Sequence, residues 1–318
     1  MTFNSKRQIT TDVINYGFKV SFKAMASPCE VLINNQDKQL AEKVGRAVAH
    51  EAWRIEDKYS RYLATSACSL INANAGSKVD IDAETYKLLL FAQQCYEMSD
   101  GMFDITSGIL RKAWKFDGSD QVPNQQKITP LLQNIGWHKV ILTENTFKFS
   151  AGMEIDLGGL GKEYAVDTSL IIANKITSSP VLINFGGDIA TNKPLQGQPL
   201  LNNHTLPGQP LLSNQVQPWK VGIEHPGFEG KQPLVVSISN GAIATSGDAN
   251  RFLLKDGQRY SHILNPKTGW SITEAPKSIS VCAPNCIQAG FIATLALLQG
   301  KRAEQFLQEQ SIGHWCVW

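Results

Sequence analysis

The alternation of apolar and polar positions predicts most of the elements. Phe22-Lys-Ala-Met-Ala-Ser-Pro-Cys-Glu-Val-Leu-Ile-Asn34 reads as a turn followed by an alternating strand. Leu40, Val44, Val48, Ile55 and Tyr59 recur at helical spacing and predict an amphipathic helix of about five turns, ending near Ser60-Arg-Tyr-Leu63. A second helix is expected from about Asp82 to Met98, and a third near Thr106 to Trp114, broken at Asp117-Gly118. Lys139 to Leu142 and Thr146 to Phe149 look like hairpin strands. A helix from Gly161 to Ile176 leads into a strand from Val181 to Phe185. Further strands are expected at Trp219 to Ile223, Leu234 to Ser239, Ala242 to Thr245, Lys277 to Ala283 and Gly313 to Trp318, with an apolar helix at Gln288 to Leu298. Strands and helices mix without regular βαβ alternation, which favours α+β with antiparallel sheets over a doubly wound fold.

Thr191 to Gln217 breaks this rhythm. It contains Gly197-Gln-Pro-Leu-Leu and again Gly208-Gln-Pro-Leu-Leu between two strand candidates, so 191–217 is read as a loop insertion with a short tandem duplication in a single domain over 1–318. With 42% hydrophobic and 18% charged residues, the chain can bury an ample core. Lys+Arg 30 against Asp+Glu 28 leaves a formal net charge of +2 with no basic block, which argues against nucleic acid or an anionic membrane as partner. The six cysteines (Cys29, Cys68, Cys95, Cys282, Cys286, Cys316) form no C-x-x-C pair and are expected as buried free thiols. No apolar run approaches the roughly 18 residues needed to span a bilayer. The start, Met1-Thr-Phe-Asn-Ser-Lys-Arg-Gln-Ile-Thr, has no signal-peptide core, so the chain as it stands is expected in the cytoplasm, or in the periplasm if a leader precedes it.

The candidate chemistry begins at Glu154-Ile-Asp-Leu-Gly-Gly-Leu-Gly-Lys-Glu-Tyr-Ala-Val-Asp167. Glycines feeding a helix start, with a lysine beside them, suit a phosphate. The plainer reading is a turn that needs glycine for φ > 0. Four further segments accompany it: Ser99-Asp-Gly-Met-Phe-Asp-Ile-Thr106, Asn184-Phe-Gly-Gly-Asp188, Ala244-Thr-Ser-Gly-Asp248 and Tyr260-Ser-His-Ile-Leu-Asn-Pro-Lys-Thr-Gly269. No glycine run gives G-x-G-x-x-G, so nothing suggests a nicotinamide enzyme.

Taken in order, from about Phe22 to Leu298, these segments resemble the ApbE family of flavin transferases. The resemblance implies an ApbE-like, T-fold-related architecture: two intertwined mixed α/β lobes with the flavin site between them. It implies transfer of FMN from FAD to a threonine or serine hydroxyl of an acceptor flavoprotein, with release of AMP and help from Mg2+. His262 is then the candidate general base, an imidazole able to exchange protons near neutral pH. A structural histidine in a strand is the alternative. By motif, Met25, Tyr62, Met102, Phe103, Asp104, Asp156, Lys162, Thr245, Ser246 and Ile263 would contact FAD, and Gly159, Ala293 and Thr294 would hold the metal. Without the match, Tyr62 would be a core or helix-end tyrosine and Phe103 a core residue. FAD binding without transfer, and FAD hydrolysis to FMN and AMP, are the competing functions.

Two departures from the family pattern matter. Ala289-Gly-Phe-Ile-Ala-Thr294 has Gly290 where the family places a metal carboxylate, and magnesium prefers hard oxygen ligands that include one. Glu163 stands where the family has glycine after the lysine. Either Glu163 supplies the carboxylate missing at 290, or it is a solvent-facing glutamate favoured by the helix dipole.

Overall fold

The computed structural model describes residues 7–117, 119–196, 216–223, 234–247 and 252–318. Both copies of the Gly-Gln-Pro-Leu-Leu repeat and Asp248 lie outside these residues. Contacts within the chain gather into two compact units, each assembled from separated stretches.

The first unit draws on residues 1–53, 164–243 and 283–286. Its frame is an antiparallel ladder in which Thr10–Ile14 pairs with Gly17–Ala24, Gly17–Ala24 with Ser27–Ile33, Ser27–Ile33 with Val181–Phe185, and Val181–Phe185 with Asp188–Thr191. Val20, Val31 and Ile33 are fully buried and alternate with more exposed positions, whereas Val181–Phe185 and Asp188–Thr191 are buried almost throughout, as inner strands covered on both faces are. The helix Lys38–Tyr59 begins here and lies so close to the sheet that a Cβ on Gly45 would come within 2.5 Å of Val20. The two-residue hairpin loop Met25-Ala26 has φ of 50° and 57°, the left-handed pair that tight hairpins use and that glycine or asparagine usually fills. At the base of the insertion, Leu195–Gln196 pairs with Val216–Gln217.

The second unit draws on residues 54–163, 244–282 and 287–318. Helix Ala83–Met98 is capped by Asp82, whose side chain accepts the Thr85 N–H at 2.8 Å. The segment expected as a helix near Thr106 to Trp114 is instead a 3-10 helix, Ile105–Lys112. Ser278–Ala283 pairs with His314–Val317, and Ile279 and Val281 of that pair share a core cluster with Ala293, Ala296 and Leu297 of helix Cys286–Leu298. A second cluster forms around Trp114, Ile128 and Leu253, with Trp270 edge-on to Trp114 at 5.7 Å.

Every strand pairing within the two units is antiparallel among those described, and helices mix with strands without βαβ order, so the fold is α+β. Among the described residues, no helix is long and apolar enough to cross a membrane. All six cysteines are free thiols, four of them buried. Burial pushes the Cys68 and Cys95 thiols up to about 12, which keeps them protonated at neutral pH.

Candidate functional site

The candidate site grows from one helix in the second unit. Gly290, Phe291 and Thr294 of Cys286–Leu298 share a face, one turn deep, and three separated segments reach that face. Phe103 packs edge-on against Phe291, with ring centroids 5.3 Å apart at 82°. Ser246 accepts a hydrogen bond from the Thr294 hydroxyl at 3.0 Å. Glu163 lies against Gly290: a Cβ built there would come within 2.6 Å of its Cγ and 2.9 Å of its Oε1. Ile263, next to His262, packs on the cluster that contains Ala293 of the same helix.

The turn that carries Phe103 is built from its own sequence. Asp100 and Gly101 adopt φ of 50° and 74°, and the Ser99 hydroxyl accepts the Phe103 N–H at 2.8 Å while donating to the Tyr96 carbonyl. Met102 follows Gly101 and is half-buried. Asp104 has a structural task. Its carboxylate accepts from the Thr106 N–H and hydroxyl and from the Trp137 N–H, capping the 3-10 helix. Burial pushes its carboxyl up, and the bonds from Thr106 and Trp137 counter that in part.

The glycines at 158, 159 and 161 do not take positive φ, which corrects the plainer reading of this stretch. Glu154 to Leu157 forms neither helix nor strand, and a turn at 158–160 precedes the helix Gly161–Ile176. Gly158 and Gly159 are exposed, and a Cβ on Gly159 would meet the Phe103 ring at an ordinary 3.7 Å. Nothing lies within 4 Å of one on Gly161. The turn bonds its own polar groups, the Gly158 N–H to Asp156 Oδ1 at 2.9 Å and the Leu160 and Gly161 N–H groups to the Leu157 carbonyl, so neither conformation nor crowding accounts for glycine at 159 and 161. Lys162 lies half-buried in the first turn of that helix.

Asp156 is held by Arg61, whose guanidinium forms an ion pair with it, stacks over the Tyr62 ring at 5.0 Å and donates to the Tyr62 hydroxyl at 2.9 Å. Arg61 thereby joins the candidate residues, although motif matching passed over it; its signal was a lone cation in Tyr59-Ser-Arg-Tyr62. Tyr62 is 74% exposed, which removes the core alternative for it. Thr245 hydrogen-bonds Ser280 at 2.7 Å. Gly247 admits the neighbouring backbone, because a Cβ there would lie 2.5 Å from the Lys277 carbonyl.

His262 lies just past the strand Gln258–Ser261, not inside it, and is half-buried, with the Phe116 ring edge-on at 6.3 Å. The turn beyond is a self-contained piece of structure. Asn265 Oδ1 accepts from the Lys267 and Thr268 N–H groups, and the Gly269 N–H bonds the Asn265 carbonyl at 2.7 Å. Met25 belongs to the first unit, at the hairpin loop described above.

Among the described residues there is no group of three or more His, Cys, Asp or Glu side chains able to hold a metal. Along helix Cys286–Leu298 the oxygens are of another kind: the Glu163 carboxylate lies against Gly290, and the Thr294 and Ser246 hydroxyls are bonded to one another one turn further on. An all-oxygen set with a single acid fits a hard divalent cation that shares its shell with phosphate and water. Glu163 Oε2 is shut off from solvent, so the solvent-facing alternative for this residue does not hold.

The sequence pattern that defines the ApbE family matches residues 24–316. The FAD:protein FMN transferase of Treponema pallidum is 32% identical over 249 residues, which cover 74% of this chain and 65% of that protein, just under two thirds of its length. A Klebsiella pneumoniae protein of the same name is 28% identical over 289 residues, covering 88% and 82%. The crystal structure of the ApbE protein of Thermotoga maritima superposes with a TM-score of 0.79 at 24% identity, over 98% of this chain and 94% of that one, which establishes a shared fold. The motif segments thus sit in a fold common to ApbE proteins and within a match that spans nearly the whole sequence: the chain belongs to the ApbE family.

Proposed function

We propose that this protein transfers FMN from FAD to a threonine or serine hydroxyl of an acceptor flavoprotein and releases AMP. The observation that carries the reading is the convergence of Phe103, Glu163 and Ser246 on one face of helix Cys286–Leu298, with the exposed backbone of Gly159 beside Phe103.

In this reading the acceptor hydroxyl oxygen forms a bond to the FMN phosphorus. The bond from that phosphorus to the bridging oxygen breaks, and AMP departs with the electron pair. His262 takes the hydroxyl proton. The Glu163 carboxylate with the Thr294 and Ser246 hydroxyls would hold Mg2+, which would supply charge neutralisation at the diphosphate. The Gly158, Leu160 and Gly161 N–H groups are bonded within their own turn to Asp156 and Leu157, so the exposed Gly159 backbone and the Lys162 ammonium are what this turn offers to phosphate oxygens. Tyr62, ordered by Arg61, offers an exposed aromatic face, and Phe103 with Phe291 closes an apolar wall. Such a reaction asks for positioning and charge stabilisation more than for covalent help from the enzyme.

The test is incubation with FAD and Mg2+, with and without a threonine-bearing acceptor flavoprotein domain. Covalent flavin fluorescence on the acceptor together with stoichiometric AMP is expected. His262→Ala should lower the rate roughly 100-fold or more while leaving FAD affinity close to wild type. AMP without acceptor labelling would replace transfer by hydrolysis, and FAD retention without turnover would reduce the protein to a flavin binder.

A further inference from the structure

The geometry points to Glu163 as the acidic ligand of the divalent cation, delivered from the first turn of helix Gly161–Ile176 into the space that a side chain at position 290 would occupy. This inference rests on the proposed function for the identity of the site, and goes beyond it in assigning the ligand and the reason for Gly290.

Two observations carry it. The first is steric. A Cβ at 290 would lie 2.6 Å from Glu163 Cγ, 2.9 Å from Oε1 and 3.0 Å from Cδ, closer than real Cβ contacts allow. Any residue larger than glycine at 290 therefore competes with the Glu163 side chain in this position. Positions 163 and 290 form a reciprocal pair in which one carries an acid while the other stays small. The second is chemical. Thr294 follows Gly290 by one helical turn on the same face, and its hydroxyl is bonded to Ser246 at 3.0 Å. Gly290, against which the Glu163 carboxylate lies, precedes Thr294 by four residues, about 6 Å of helix rise. Carboxylate and hydroxyl oxygens in such a group are hard donors suited to Mg2+ or Mn2+, and the remaining positions can be filled by backbone carbonyls, water and substrate phosphate. The positive end of helix Gly161–Ile176 favours a negative charge in its first turn, where this carboxylate sits.

The test uses the full chain and Mn2+, read as loss of the free-ion electron paramagnetic resonance signal, with no nucleotide and no acceptor present. Glu163→Gln keeps the side-chain volume and removes the charge. It should weaken Mn2+ binding roughly tenfold or more. Glu163→Gly combined with Gly290→Asp moves the acid to the other helix and should bring binding back to within about threefold of wild type. Wild-type Mn2+ affinity in Glu163→Gln would overturn the proposal. So would a folded double variant that binds no better than Glu163→Gln. Because the readout needs no acceptor, loss of FMN transfer with this binding pattern intact would count against the proposed function alone, and transfer with Mn2+ binding indifferent to Glu163 would count against this inference alone.

Discussion

The turns at 158–161 and 265–269 look alike on paper: each is short, glycine-bearing, and accompanied by a lysine. In the folded chain they differ. The 265–269 turn consumes its own polar groups. Asn265 accepts two N–H groups, the Gly269 N–H returns to Asn265, and the Gly269 carbonyl accepts from the Trp114 indole at 2.9 Å. Gly269 needs both its φ of 73° and its lack of a side chain, since a Cβ would press within 2.4 Å of Ile128. The 158–161 turn needs neither for its own sake. Gly159 and Gly161 take ordinary φ and face open space or loose van der Waals contact. Both turns bond their own polar groups, since the Gly158 N–H returns to Asp156 and the Leu160 and Gly161 N–H groups to Leu157, but only Gly269 is demanded by the fold, whereas Gly159 stays exposed beside Phe103. Glycine in a motif therefore says nothing about function until its conformation and its neighbours are known.

Substitutions that break or sharpen this contrast differ in size. Gly269→Ala should have the largest effect on the fold. It combines an unfavourable left-handed φ with a clash against Ile128, at a cost of roughly 3 kcal/mol, visible as a lowered urea midpoint. A midpoint equal to wild type would show that the turn is not the fixed structure described. Gly159→Ala should leave stability within about 0.5 kcal/mol of wild type but raise the Kd for FAD several-fold, because the added methyl occupies backbone that the diphosphate approaches. A stability loss like that of Gly269→Ala, or unchanged FAD affinity, would erase the distinction between the two turns.

How far the sequence reached follows the same physics. Regular periodicity located helix Lys38–Tyr59, helix Gly161–Ile176 and strand Val181–Phe185 to within a residue or two. It passed over helix Gln125–Leu132, where Pro130 sits inside the helix and hides the pattern. It gave Ile105–Lys112 the wrong helical type, because a 3-10 segment of eight residues has no distinctive spacing. Motif matching named Phe103, Glu163, Ser246 and Thr294, whose side chains reach helix Cys286–Leu298 or lie on it, and Asp104, whose carboxylate accepts from Thr106 and Trp137. Arg61 and Phe291 escaped it, since their roles exist only through partners far along the chain, Asp156 and Phe103. The acid gained at 163 and the one missing at 290 were already legible as a paired change, and what the sequence could not give is the contact of Glu163 with Gly290.

The central claim is that the segments around Phe103, Gly159, Glu163, Ser246 and Thr294 form one diphosphate and cation site. Anomalous diffraction from crystals grown with FAD and Mn2+ tests it most directly. The account predicts a manganese peak within coordination distance of the Glu163 carboxylate and the Thr294 hydroxyl, with the flavin diphosphate against the Gly158 to Lys162 backbone. A manganese peak remote from Glu163, or FAD bound away from Phe103 and this turn, would contradict it.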